Sequence, residues 1–137
     1  MLRSSKHWNK FEMLGIHHGK LSPCPTSPNC VCSDSTNKKH YIEPYQLKVK
    51  PSEGWETFKK VISALPRTTI ISAANHYLHA EARSRIFRFV DDLEFQLRPR
   101  QNIIAIRSAA RLGYYDFSVN RNRLEKIRGK LRSHGIV

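Results

Sequence analysis

The clearest helical pattern in the chain lies between Pro51 and Pro66. Four apolar residues recur there at helical spacing and form one stripe, namely Trp55, Phe58, Ile62 and Leu65. Ser52 is a natural N-cap residue, because its hydroxyl can accept a hydrogen bond from a free backbone N–H of the first turn. Glu53 suits the positive end of the helix dipole. The pattern predicts a helix that is opened by Pro51 and Ser52 and stopped by Pro66.

Three or four strands are predicted after this helix, and two of them alternate regularly between apolar and polar residues. The candidate strands are Thr68 to Ala74, Tyr77 to Ser84, Phe87 to Leu97 and Ile103 to Arg111. The apolar members of the alternation are Leu78, Ala80, Ala82, Leu93, Phe95 and Leu97. Because successive side chains of a strand point to opposite faces, one face of the sheet belongs to the core and the other is charged and polar. The short connection from Pro99 to Asn102 favours an antiparallel meander.

A second helix closes the chain. Asn120 is a candidate cap, and Leu124, Ile127 and Leu131 form its apolar stripe. Its basic residues are expected to turn mostly outward: Arg121, Lys126, Arg128, Lys130 and Arg132. The resulting fold class is α+β, an antiparallel sheet of about four strands with helices packed on one face.

The length of 137 residues suits one domain. Residues 1–20 are polar and aperiodic and are expected to form a tail or a strap, while residues 21–137 form the single α+β domain. Residues 22–39 are a loop by composition, and His40 to Lys50 contains a short extended segment. No apolar run is long enough for a membrane helix, which argues against an integral membrane protein, and charged residues interrupt any signal peptide near the start. A cytoplasmic location is therefore expected.

The distribution of charge along the chain indicates what kind of partner the domain binds. The formal net charge is +13, and residues 98–137 hold ten basic residues against two acidic ones. The partner near this part of the chain is therefore expected to be anionic. Nucleic acid is a weaker candidate, because the chain has no zinc-finger spacing, no Walker lysine and no RNA-binding aromatic signature. No cofactor and no metal are assigned.

Three ordered blocks carry a family resemblance. They are PCPTSPNCV at residues 23–31, SRIFRFVDDLEF at 84–95 and IRSAARLGYYDFSVNRNRLEKIR at 106–128. Together they resemble the domain of unknown function 1499 family of bacterial and plastid proteins, from about Leu14 to Leu131. Cys32 stands where that family usually has serine. The resemblance implies no biochemical activity, and many relatives carry a membrane or export segment ahead of the domain.

Three cysteines lie close together at Cys24, Cys30 and Cys32. A turn can bring the Cα atoms of Cys24 and Cys30 within disulfide distance. Free thiols in a structural loop are the interpretation that the sequence favours over this disulfide. A metal site that adds His40 is the third, but the spacing does not match the usual zinc knuckles.

An acidic cluster is predicted on neighbouring strands, formed by Glu81, Asp91, Asp92 and Glu94. One interpretation is a solvated sheet face on which these carboxylates pair with cations such as Arg107. The other is an acid/base pair or a cation site, because crowded carboxylates separate their pKa values. His76 and His79 are read as ordinary strand positions.

A candidate anion site follows the last strand, where arginines, a glycine loop and a helix N-terminus come together. Its residues are Arg107, Ser108, Arg111, Asp116, Asn120 and Arg121. The leading hypothesis is a binding module for a small anionic ligand or an acidic protein surface near Arg107, Arg111 and the last helix. One alternative is an enzyme that uses Asp91, Asp92 or Glu94 for acid/base chemistry beside these arginines. Another is a domain that docks on an anionic membrane or protein surface.

Overall fold

The helices and strands follow one another in the predicted order. The structure also contains short strands that the sequence pattern did not predict. The computed structural model describes residues 14–86, 89–113 and 118–137. Its elements are β1 (Ile16–His17), β2 (Lys20–Leu21), β3 (Cys30–Cys32), β4 (Tyr45–Gln46), α1 (Pro51–Ser63), β5 (Thr68–Ala73), β6 (Tyr77–Arg83), β7 (Val90–Arg98), β8 (Ile103–Ala110) and α2 (Val119–Ser133). The α+β prediction is confirmed. The third predicted strand begins at Val90, and Phe87 lies outside the described residues.

The sheet is an antiparallel meander of β5, β6, β7 and β8, extended at one edge. Both β3 and β4 pair with the outer edge of β8, which gives six strands, and β1 and β2 form a separate hairpin. The sequence predicted about four strands because β3 and β4 are too short to show alternation. The connection between β7 and β8 is tight, as predicted, and Asn102 closes it in the left-handed conformation with φ 56°.

The core lies between the two helices and one face of the sheet. Phe58 of α1 meets Phe95 of β7 edge to face, with ring centroids 4.7 Å apart. The hydroxyl of Tyr45 donates to the carbonyl of Leu124 on α2 at 2.7 Å, so the last helix is tied to β4. A Cβ at Gly54 would lie 2.9 Å from a methyl carbon of Leu47, so a larger residue there would push the Leu47 side chain aside.

Three predictions about the helices are wrong. Lys50 is the N-cap of α1 and Pro51 is its first residue, so Ser52 lies inside the helix. Ser118 is the N-cap of α2, and Asn120 does not cap it, because its amide donates to the carbonyl of Asn29 and its oxygen accepts from Ser108. Arg128 is buried rather than turned outward, because the carbonyls of residues 43 and 44 accept hydrogen bonds from it.

The second face of the sheet is covered, whereas the sequence favoured a solvated polar face. Residues 14–34, the covering segment, run over this face and along the sheet edge, where β3 lies, and supply hydrogen-bond partners to the polar side chains of the face. The backbone N–H of Gly15 donates to Glu94, Gln96 donates to the carbonyl of Gly19, and Arg107 donates to the carbonyl of Ser22. These contacts span more than seventy residues along the chain, so alternation within a strand could not predict them.

Within the described part of the chain, neither helix combines the length and the hydrophobicity that crossing a bilayer requires.

Candidate functional site

Seven polar side chains meet on the covered face of the sheet, and we call them the polar cluster. They are Tyr77, His79, Glu81, Asp92, Glu94, Arg107 and Arg111. The register explains the meeting, because Glu81 pairs with Asp92 and Glu94 with Arg107 across adjacent strands. Residues paired directly across a sheet point to the same face. Sequence reasoning named four of the seven together and left Tyr77 and His79 out, although both share the alternation of Glu81.

The inner half of the polar cluster surrounds Glu94, whose side chain is fully buried. One carboxylate oxygen accepts from the Tyr77 hydroxyl and from the Gly15 backbone N–H, each at 2.6 Å. The other oxygen accepts from Arg107 at 3.3 Å. Burial, reinforced by the Glu94 carboxylate, raises the pKa of Tyr77 well above its ordinary value. These groups satisfy one another, so this half of the cluster holds the covering segment in place.

The outer half surrounds Asp92. His79 Nε2 lies 2.8 Å from Asp92, and the guanidinium of Arg111 donates to both oxygens of the same carboxylate, at 2.7 and 3.1 Å. Arg111 also donates to Glu81 at 2.7 Å. Burial by itself would raise the pKa of Asp92, but the hydrogen bonds from His79 and Arg111 hold that pKa below its ordinary value. The hydrogen bond from Asp92 is in turn the main reason that the pKa of Arg111 is raised.

A metal ion has one candidate donor set in the described residues, formed by His79, Glu81 and Asp92. Their donor atoms lie within 4.8 Å of one another, which suits a compact divalent-cation site. One nitrogen of Arg111, however, lies 2.7 Å from each of the two carboxylates. This guanidinium already supplies the positive charge between them, so a metal ion would have to displace it.

Asp91 does not join the other predicted carboxylates. It lies on the helix-facing side of β7 and accepts from Arg123 of α2 at 2.7 Å. The reason is strand geometry, since neighbouring residues 91 and 92 point to opposite faces. Asp91 and Asp92 therefore cannot act together as an acid/base pair, because their side chains lie on opposite faces of the sheet.

The six residues of the predicted anion site are also divided between the two faces. Arg107 and Arg111 belong to the polar cluster, whereas Ser108 and Asn120 are buried together on the helix-facing side. Arg121 lies on α2 and donates to the carbonyl of Lys39 at 3.4 Å. Asp116 lies outside the described residues. The structure does not bring this set together.

The covering segment contains a disulfide between Cys24 and Cys30, whose Cα atoms are 5.7 Å apart. Cys32 is free and buried, and burial raises the pKa of its thiol to about 11. The thiolate needed for attack or metal binding is therefore scarce at neutral pH. The carbonyl of Cys30 accepts a hydrogen bond from Nδ1 of His40 at 2.9 Å, so this region is held by structural contacts.

Asp34 anchors the other end of the covering segment. Its two oxygens face the guanidinium of Arg98 at 2.5 and 2.9 Å, and one oxygen also accepts from the Leu21 backbone N–H at 3.0 Å. Burial opposes ionisation, but the hydrogen bonds from Arg98 and Leu21 keep the pKa of Asp34 below its ordinary value. Sequence reasoning did not detect this pair, since 64 residues separate its members.

A groove of about 640 Å³ lies between α2 and the corner that joins α1 to β5. We call it the basic groove, because five cationic residues line it: Arg67, Arg83, Arg123, Lys126 and Lys130. The rest of its lining is apolar or uncharged and includes Leu65, Val119 and Ile127, so no carboxylate is among the described lining residues. Three separate stretches of sequence contribute the cations, which is why no motif revealed the groove.

Residues 20–131 match a protein-family model described as "Protein of unknown function (DUF1499)". The match covers nearly the whole chain and agrees with the resemblance seen in the sequence blocks. Comparison with curated proteins gave no match, and comparison with solved structures gave none either.

Proposed function

The chain belongs to the DUF1499 family, whose description names no activity, and we propose that this domain binds a small anionic ligand in the basic groove. One observation carries the proposal. A groove of about 640 Å³ is lined by five cationic residues and, among its described lining residues, by no carboxylate. That volume falls in the range of about 300 to 1,000 Å³ that is common for small-molecule sites.

The arrangement of the five cations supports this site. Arg123, Lys126 and Lys130 follow one another at helical spacing, so α2 presents all three on one face. Arg123 is oriented by Asp91, and Arg83 by Glu81 at 3.2 Å. The side chains of Lys126 and Lys130 are exposed and have no ion pair within the described residues. Because Arg83 and Arg123 already face carboxylates, the ammonium groups of Lys126 and Lys130 are the cations of the groove that best suit a ligand with several negative oxygens.

The polar cluster gives an anion less support. Arg107 is held by Glu94 and by the carbonyls of residues 22 and 23, and Arg111 faces two carboxylates. An incoming anion would meet the negative charge of Glu81 and Asp92 together with the arginines. The enzyme alternative is weaker for a related reason, since the pKa of Asp92 is lowered, away from the neutral range in which a general base works best.

The experiment is a thermal-shift titration with inorganic pyrophosphate, a compact polyanion. We expect pyrophosphate to raise the Tm of the wild type, because a ligand that binds only the native state stabilises it by mass action. The Lys126→Gln/Lys130→Gln variant should lose most of this shift. The matched control is Arg121→Gln/Arg132→Gln, which removes the same charge from α2 outside the groove and should keep the shift.

A wild type that does not respond to pyrophosphate would contradict the proposal, and so would either of two results with the variants. Equal loss of the shift in both double variants would mean that pyrophosphate only screens the net charge of +13. An unchanged shift in the groove variant would place the bound anion elsewhere on the molecule.

A further inference from the structure

Large apolar side chains are exposed at one end of the sheet. Ile86 is 78% exposed, Leu112 75% and Phe89 60%, and we call these three residues the apolar tip. Ile86 lies in the connection from β6 to β7, and Leu112 follows β8. Large apolar side chains that are exposed near one another mark interaction surfaces.

The strand register brings the tip residues together. Asp91 pairs with Ala110, and the backbone N–H of Arg111 donates to the carbonyl of Val90 at 3.0 Å, so the ladder continues past the strand ends. Val90 is the first residue of β7 and Ala110 the last of β8, so Phe89 and Leu112 both lie just beyond this end of the sheet. Ser84 and Phe89 close the neighbouring connection through two hydrogen bonds of 2.8 and 2.9 Å, which brings Ile86 to the same end.

Positive charge borders the apolar tip. Arg83, which lines the basic groove, pairs with Val90 next to Phe89, and Arg85 is exposed beside Ile86. Arg123, a second groove residue, is bonded to Asp91 two residues beyond Phe89. The neighbouring carboxylates Glu81, Asp91 and Asp92 each face an arginine. The tip and the groove thus form one surface with an apolar end and a cationic side.

We propose that this surface docks on an anionic lipid bilayer, with the apolar tip inserted among the headgroups and lipid phosphates in the basic groove. This proposal rests on the proposed function, and it identifies the anion bound in the basic groove as the phosphate of a lipid headgroup. Exposed apolar side chains next to basic residues are the combination that interfacial membrane binding uses, since burial of apolar area and attraction to anionic lipid act together. A nucleic acid would use the cations but would leave the aliphatic side chains of Ile86 and Leu112 in water.

The experiment is co-flotation of the full chain with lipid vesicles. One set contains phosphatidylcholine alone, and the other is an equimolar mixture of phosphatidylcholine and phosphatidylglycerol. The wild type should bind the anionic vesicles only. Ile86→Ser/Leu112→Ser should lower the partition coefficient by about tenfold or more, because two aliphatic side chains no longer leave water. Ile71→Ser is the control, since Ile71 is 50% exposed on the edge strand β5.

The pyrophosphate titration separates this proposal from the one on which it rests. The tip variant should keep its pyrophosphate shift, whereas the groove variant Lys126→Gln/Lys130→Gln should lose both the shift and vesicle binding. Two outcomes overturn the membrane proposal and leave the anion site standing. In one, the protein binds pyrophosphate but not vesicles. In the other, the tip variant binds vesicles as well as the wild type does. Vesicle binding in a protein that does not respond to pyrophosphate overturns the proposed function. If the protein binds a DNA oligonucleotide more tightly than vesicles, and the tip variant binds that DNA as well as the wild type does, the partner is a nucleic acid and the membrane proposal is overturned.

Discussion

Arg107 carries a buried positive charge whose partners lie in the covering segment and on the adjacent strand β7. Its guanidinium lies 3.3 Å from Glu94 and donates to the carbonyl of Ser22 at 2.9 Å. A buried charge without its partner costs far more than the pair contributes, because neither water nor another ion replaces the lost interaction. The sequence marked Arg107 as a ligand residue, whereas its contacts make it a residue that positions the covering segment.

Replacing Arg107 should therefore be costly. We expect Arg107→Leu to lower the free energy of unfolding by about 3 to 5 kcal/mol, because Glu94 stays buried without its cation. Adding Glu94→Gln should recover part of this loss, since it removes the unpaired charge. Urea unfolding followed by circular dichroism measures both. The exposed-side control Arg121→Leu should change stability by less than about 0.5 kcal/mol, and a similar small effect of Arg107→Leu would contradict this account.

At the scale of elements, the covering segment is held by few regular hydrogen bonds. Its strands β1, β2 and β3 are two or three residues long. The disulfide between Cys24 and Cys30 closes a short loop within it. An ion pair between Asp34 and Arg98 and a hydrogen bond from Arg107 to the carbonyl of Ser22 attach it to the sheet. A segment with so little secondary structure depends on such cross-links, since β3, which pairs with β8, is its one strand in the six-stranded sheet.

Removing the disulfide should loosen this segment. In the chain-entropy model, a loop of this size loses about 2 kcal/mol of stability when its bond is absent. We expect Cys24→Ser/Cys30→Ser to show this loss in urea unfolding, with faster hydrogen exchange at Leu21, whose N–H donates to Asp34. The amides of β7 should exchange as in the wild type until global unfolding. Reductant should destabilise the wild type alone, and a wild type that ignores reductant would contradict the prediction.

At the scale of the whole molecule, the balance of charge makes the fold sensitive to acid. The net charge is already +13, so every carboxylate that takes up a proton adds to the repulsion. The pKa values of Asp34 and Asp92 are both lowered in the folded chain by facing cations. Because the unfolded chain binds protons at higher pH than the folded one, their stabilisation is present above the ordinary carboxyl pKa. It is lost as the pH falls toward the lower folded values.

Acid unfolding tests this sign. We expect the urea midpoint of the wild type to change little between neutral pH and about pH 5, and to fall steeply below about pH 4. Asp92→Asn should be less stable at neutral pH but should lose less stability on acidification, because one of the two groups no longer titrates. Glu56→Gln is the control, since Glu56 forms only a surface pair with Lys59. If the urea midpoint of Asp92→Asn fell with pH as steeply as that of the wild type, the contribution assigned to the lowered pKa of Asp92 would be contradicted.

Local pattern predicted much of the fold and little of the site. The stripe from Trp55 to Ile62 and the alternation at Leu93 and Phe95 depend on neighbours within one element, so the sequence alone could show them. The predicted cap of α2 is wrong because tertiary partners decided it: Asn120 bonds to Ser108 and Asn29 instead of to its own helix. His79 was passed over because its partner Asp92 lies on another strand.

The sequence by itself determined the helices, the four-stranded meander, the family and the excess of positive charge. These follow from short-range periodicity, from ordered motifs and from composition. Only the tertiary structure decided which charged side chains pair with other groups of the protein and which remain exposed on its surface. Arg107 and Arg111 are matched by carboxylates of adjacent strands, while Lys126 and Lys130 remain exposed beside the groove. The physical reason is distance in space, because an ion pair forms between groups that folding brings together, whatever their separation along the chain.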